Sequence, residues 1–151
     1  VYVTLPESGP HSVPRRGELS GIEVRALPVR DAHEGMAASL RAGVAAAGSA
    51  AGLLVMLPDM PEITEADLSH LVAAFAAQPG KVHRAAAEDG TPGHPVIFPR
   101  RLFAELSVVT GDVGGRRVMF GEDIVLHPLP GRRALLDLDT PEDWAAWRAK
   151  G

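Results

Sequence analysis

The chain has 151 residues, which suits one domain, and 46% of them are hydrophobic, enough for a real core. A formal net charge of −4 argues against a generic basic grip on nucleic acid, and the absence of cysteine excludes disulfides and thiolate metal sites. Apolar stretches are short or broken by glycine, no secretory signal is visible, and the expectation is a cytoplasmic protein with neither a membrane span nor a nucleic-acid partner.

Val1-Tyr2-Val3-Thr4-Leu5 reads as a strand that begins at once, without a leading Met. Pro6 to Gly21 is rich in Gly, Pro, Ser and charge and reads as an irregular exposed segment. A short strand is expected over Ile22 to Leu27. Apolar residues at helical spacing predict a helix from Met36 to Val44, closed by the segment from Gly48 to Gly52. Gly52 to Leu57 is a nearly unbroken apolar run, the look of a parallel strand buried on both faces. Thr64, three residues before Asp67, signals a capping box and a helix through about Ala77, ended by Pro79-Gly80. Val82 to Ala86 reads as a strand, Asp89 to Gly93 as a turn, and Pro95 to Phe98 as another short strand. Short helices are expected over Arg100–Leu106 and Gly114–Phe120, and strands over Asp123–Leu126 and Ala134–Leu138. Thr140 then caps a final helix with Pro141 at its first position and Asp143 at its third. Strands alternate with helices, so the class is α/β with a largely parallel sheet, and no internal repeat is present.

Two apolar runs end on carboxylates, and ligands of open α/β sheets bind outside the carboxyl ends of strands. The first run stops at Asp59, because Pro61 cannot continue the ladder. A carboxylate that merely caps a turn is the plain alternative there. The second run carries Asp137 and Asp139, which share one side if the segment is a strand. Two adjacent carboxylates repel without a cation, which favours a metal role for the pair. Asp143 is sufficiently explained as a capping residue. The Gly90–Pro95 stretch reads as a rigid turn in which Gly93 admits a ligand close to the backbone and His94 offers a donor to phosphate or pterin. A surface histidine is the plainer account of His94. Gly111-Asp112-Val113-Gly114-Gly115-Arg116-Arg117 offers amides and guanidinium groups to an anion, against the simpler view of a helix-joining turn. Gly35-Met36-Ala37-Ala38-Ser39-Leu40 is a further helix start of the same two-sided kind. Trp144 and Trp147 read as packing residues.

Five segments in order resemble the MobA-like nucleotidyltransferases, and within them the molybdenum cofactor cytidylyltransferase (MocA-like) branch. They are Gly35–Leu40, Leu57-Pro58-Asp59-Met60-Pro61, Gly93-His94-Pro95-Val96, Gly111–Arg116 and Asp137–Asp143. One departure is Gly115, where the family usually has Ala. The resemblance implies a Rossmann-like three-layer α/β/α fold with a mostly parallel sheet. It also implies that the family's opening strand and its Gly-rich, triphosphate-holding loop have no counterpart here, so some tens of residues are expected before Val1. The implied activity is transfer of CMP from CTP to the molybdopterin cofactor with release of pyrophosphate. Mg2+ would be held by Asp59 with Asp137 or Asp139, Asp59 and Asp139 being the catalytic pair. Gly93, His94, Gly111, Asp112 and Arg116 would face the cofactor. A molybdoenzyme or its chaperone is an implied further partner.

Other readings stay open. A guanylyltransferase would use GTP in place of CTP. The Asp137-Leu138-Asp139 form also occurs in metal-using glycosyltransferases that act on sugar nucleotides. A cofactor-binding module without chemistry is the reading from a different class.

Overall fold

The computed structural model describes residues 1–10, 12–111 and 114–149. The chain forms two compact units, Val1–Leu53 with Pro99–Glu122, and Leu54–Phe98 with Asp123–Gly151. One border between them falls between Leu53 and Leu54.

In the first unit, β1 (Tyr2–Pro6) pairs in parallel with β2 (Arg25–Val29), Tyr2 opposite Arg25 and Pro6 opposite Val29. The connection between them holds a helix, α1 (Ser12–Glu18), where an irregular segment was expected. Only Ser12 of that helix is buried, so it carries no apolar stripe from which to read a period. Ser12 folds back onto Gly9, its hydroxyl donating to the Gly9 carbonyl at 2.8 Å. The second strand begins three residues later than its pattern suggested, because Ile22 lies in a turn and is exposed. Helix α2 (Met36–Ala47) buries Ala37, Ala38, Leu40 and Val44 at i, i+3 and i+4 intervals, and Gly48 ends it at φ 53°. The unit also holds the short helices α4 (Phe103–Leu106) and α5 (Gly114–Val118). Arg41 on α2 donates to the Val109 carbonyl at 2.8 Å and to Glu34 at 2.7 Å, and Arg100 donates to the Gly48 carbonyl at 2.8 Å. Arg101 and Glu122 form a two-pronged ion pair.

The second unit is built on a four-stranded sheet in the order β3-β5-β4-β6, with β3 at Gly52–Val55, β4 at Val82–Ala86, β5 at Pro92–Pro99 and β6 at Ile124–Pro128. The β4–β6 pair is parallel and the β4–β5 pair antiparallel. The third strand is half-buried along its whole length rather than sealed on both faces, as befits its place at the margin of that order. Helix α3 (Glu65–Ala77) starts on the expected capping box: Thr64 and Asp67 each bond the other's backbone amide. Leu71 and Phe75 of α3 pack with Ala85, Ile97, Leu129 and Ala134 into one core, supported by Leu54 and Ile63. Helix α6 (Pro141–Arg148) repeats the device, with Thr140 and Asp143 as its box and Pro141 at its first turn.

The segment expected as a strand over Ala134–Leu138 is a turn followed by irregular chain, with no ladder. The Pro130-Gly131 corner is fixed by Glu88, whose amide donates to the Gly131 carbonyl and whose carboxylate accepts from the Gly131 amide. The chain therefore re-enters the unit through a turn. Among the described residues, no helix is long and apolar enough to cross a membrane.

Candidate functional site

Asp59 lies in the turn that follows β3, where Pro58 and Pro61 prevent the strand from continuing. Met60 beside it is buried and anchors the turn. One carboxylate oxygen of Asp59, Oδ1, is sealed from solvent and has no hydrogen-bond partner among the described residues. A buried polar atom without a partner costs about 1–3 kcal/mol, so such an atom calls for an explanation, a bound ion among them.

The backbone of Asp59 answers where the second acidic segment sits. Its carbonyl accepts from the Leu138 amide at 3.0 Å. Leu138 is only 5% exposed, while Asp137 and Asp139 on either side of it are exposed. The burial along the segment thus keeps the alternation expected of a strand: a buried leucine between two exposed carboxylates. The three acids predicted as metal ligands belong to one unit, and a main-chain hydrogen bond joins their two segments. Among the described residues, no group of three or more His, Asp or Glu side chains is already arranged as a metal cage. Mg2+ does not need one, since it binds through one or two carboxylates together with phosphates and water. The donor set, hard oxygen with one oxygen unsatisfied, fits that ion.

Gly93 and His94 lie in β5, not in a turn. The space a Cβ would take at Gly93 is filled by the backbone of Ala134, whose carbonyl oxygen would stand 1.9 Å from it. The close approach that glycine permits here is therefore that of the chain itself. The His94 amide donates to that same Ala134 carbonyl at 2.8 Å. Arg84, which sequence reasoning missed, holds the other side: its Nε donates to the Gly93 carbonyl at 2.8 Å. An arginine two residues into a strand that is otherwise buried throughout carries no signal of this in the sequence. His94 itself is half-buried, and the peptide bond between it and Pro95 is cis.

The acidic segment is consequently pinned at both ends, at Ala134 by His94 and at Leu138 by Asp59. A third tie comes from Trp144, whose indole N–H donates to the Leu138 carbonyl at 3.0 Å. Asp139, Thr140, Pro141, Trp144 and Arg148 line a shallow, open hollow of about 510 Å3. The Arg148 guanidinium lies 5.6 Å from the Trp144 ring centre. Thr140 holds the exposed Asp143 carboxyl below the usual carboxylate range, through its hydroxyl and its amide, which accounts for Asp143 as a capping group.

Gly111 and Arg116 belong to the other unit. Both are exposed, Gly111 with φ 70°, and Arg116 sits on the five-residue helix α5. Asp112 lies outside the described residues.

The model of the MobA-like NTP transferase domain matches residues 1–125. The chain belongs to that family, and its fold and motif order define a nucleotidyltransferase-type domain. Among solved structures it is similar to Rv0371c from Mycobacterium tuberculosis H37Rv, with 27% identity and a TM-score of 0.78 over 97% of this chain and 73% of that one. The same protein in complex with manganese matches at 27% identity and a TM-score of 0.77, over 96% of this chain and 74% of that one. An Rv0371c homolog from Mycobacterium sp. strain JC1 is 25% identical with a TM-score of 0.80, over 99% of this chain and 73% of that one. Comparison with curated proteins gives no significant match.

Proposed function

We propose that this domain serves a molybdenum cofactor nucleotidyltransferase that transfers CMP from CTP to the molybdopterin cofactor in the cytoplasm. In that reaction an oxygen of the cofactor's phosphate forms a bond to the α-phosphorus of CTP. The bond from that phosphorus to the bridging oxygen breaks, and pyrophosphate carries away the electron pair. Asp59, with Asp137 or Asp139, would hold Mg2+, which when bound neutralises charge developing on the phosphates. Asp59 and Asp139 are the catalytic pair in this reading. The family resemblance assigns the cofactor side to the positions His94, Gly111, Asp112 and Arg116, a guanidinium such as that of Arg116 being suited to a phosphate, while Gly93 serves that side by admitting the Ala134 backbone.

The observation that carries the reading is the sealed, unpartnered Asp59 Oδ1 beside a segment with carboxylates on both sides of a buried leucine. The manganese complex of a similar protein supports a divalent ion. The test uses the intact protein with Mg2+, the molybdopterin cofactor and either CTP or GTP, and measures pyrophosphate. CTP should serve better than GTP. Asp59→Ala should remove turnover while leaving the circular-dichroism spectrum unchanged. An Asp59→Ala variant that keeps full turnover would end the metal assignment, and release of UDP from a UDP-sugar would favour a glycosyltransferase instead.

A further inference from the structure

Leu138 stands between two exposed acids, and every polar group of its backbone is claimed. Its amide donates to the Asp59 carbonyl and its carbonyl accepts from the Trp144 indole, each at 3.0 Å. With its donor and its acceptor both engaged, the two peptide units on either side of the Leu138 Cα are held in place. Asp137 and Asp139 are joined directly to those two peptide units, so holding the units in place limits where their side chains can point. Trp144 is half-buried at the start of α6, whose first turn is itself locked by the Thr140–Asp143 box and by Pro141. Its ring meets Trp147 edge to face, with centres 6.2 Å apart. A rigid helix end thus presents one N–H to one carbonyl in the acidic segment. Trp147 differs: its indole bonds Glu62 at 3.3 Å and has no bond to that segment.

We infer that Trp144 is a positioning residue for a divalent cation at the acidic site, acting through the Leu138 carbonyl to aim Asp137 and Asp139. The inference rests on the metal reading of Asp59, Asp137 and Asp139 above. Partners that orient metal ligands typically contribute about 10–100-fold in affinity.

Mn2+ alone is the probe, titrated into the intact protein and followed by the electron paramagnetic resonance signal of the free ion. Trp144→Phe keeps an aromatic ring but removes the N–H donor together with the five-membered half of the indole, and Trp147→Phe makes the same loss of ring. It should weaken Mn2+ binding by about tenfold, the lower end of the range for such partners. Trp147→Phe should bind as the parent does while showing a comparable change in melting temperature, which separates positioning from general packing. Trp144→Phe with parental Mn2+ affinity, in a protein where Asp59→Asn abolishes binding, overturns the role of Trp144 and spares the metal site. Equal weakening by Trp147→Phe likewise overturns it. Parental binding in Asp59→Asn, or no binding by the parent, overturns both.

Discussion

Replacing Gly93 by alanine tests the architecture of the acidic segment most directly. Gly93 does not have a positive φ, so the substitution carries no backbone strain of its own and, by restricting the unfolded chain, should by itself stabilise by about 0.4–1 kcal/mol. The cost is steric. The new Cβ would meet the Ala134 oxygen at 1.9 Å and its carbonyl carbon at 2.6 Å. An ordinary contact needs about 3.4 Å, so one backbone must retreat by about 1.5 Å. Ala134 is 1% exposed and packs in the core with Leu71 and Ile97, and Gly93 lies in a paired strand, so neither moves freely. A shift of that size breaks the 2.8 Å bond from the His94 amide to Ala134. Leaving those groups unpaired costs about 1–3 kcal/mol and the overpacking about as much again, for a net loss of about 3 kcal/mol. For a chain of this size that lowers the melting midpoint by about 10 °C. Thermal unfolding followed by far-ultraviolet circular dichroism reads this. A Gly93→Ala midpoint within about 2 °C of the parent, outside any effect of a core clash of this size, would refute the argument.

Thr64→Ala should destabilise by about 1 kcal/mol in urea unfolding, since it removes the cap of α3 and one anchor of Asp67. Burial by itself raises the Asp67 carboxyl, but the Thr64 amide and hydroxyl and the Arg133 guanidinium outweigh it and hold it below its ordinary value of 3.8. Its contribution to stability is thus present above that value and lost as pH falls through the lower folded one; Asp67→Asn should flatten that part of the stability profile. The buried His83–His127 pair acts in a higher window. His83 Nε2 lies 3.1 Å from the Gln78 carbonyl, so it is the donor there, and His83 Nδ1 lies 2.9 Å from His127 Nε2. Burial first, then His83 and the neighbouring His70, hold His127 below its ordinary value of 6.5. The unfolded chain therefore binds the proton more readily, and stability present above about pH 6.5 declines as pH falls toward the folded value. Urea midpoints between pH 7.5 and 5.5 should show that decline and His127→Gln should reduce it; a parental profile that is flat would contradict it.

Elements specified by neighbours a few residues apart were legible in the sequence. Thr64 with Asp67 and Thr140 with Asp143 announce α3 and α6 because a capping box is complete within four residues. Features specified by distant backbone were not. Pro92, Gly93 and Pro95 read as turn punctuation, yet they lie inside β5, where Gly93 is required by Ala134, some forty residues on. Leu135 to Leu138 has the composition of a strand, but its hydrogen bonds go to Asp59, Trp144 and a local turn rather than to a ladder. The helix α1 was invisible because it buries almost nothing. At the candidate site, the acids were readable as types at a spacing. The groups that hold their segment, the Asp59 carbonyl, the His94 amide and the Trp144 indole, were not, because each bonds a peptide group that every residue possesses.

That last point bears on how the acidic segment can change. Its attachment points are peptide groups at Ala134 and Leu138, indifferent to which side chains flank them. Exchanging Asp137 or Asp139 for asparagine or glutamate leaves the mooring untouched. The loop can be retuned chemically, by selection or by design, without being refolded.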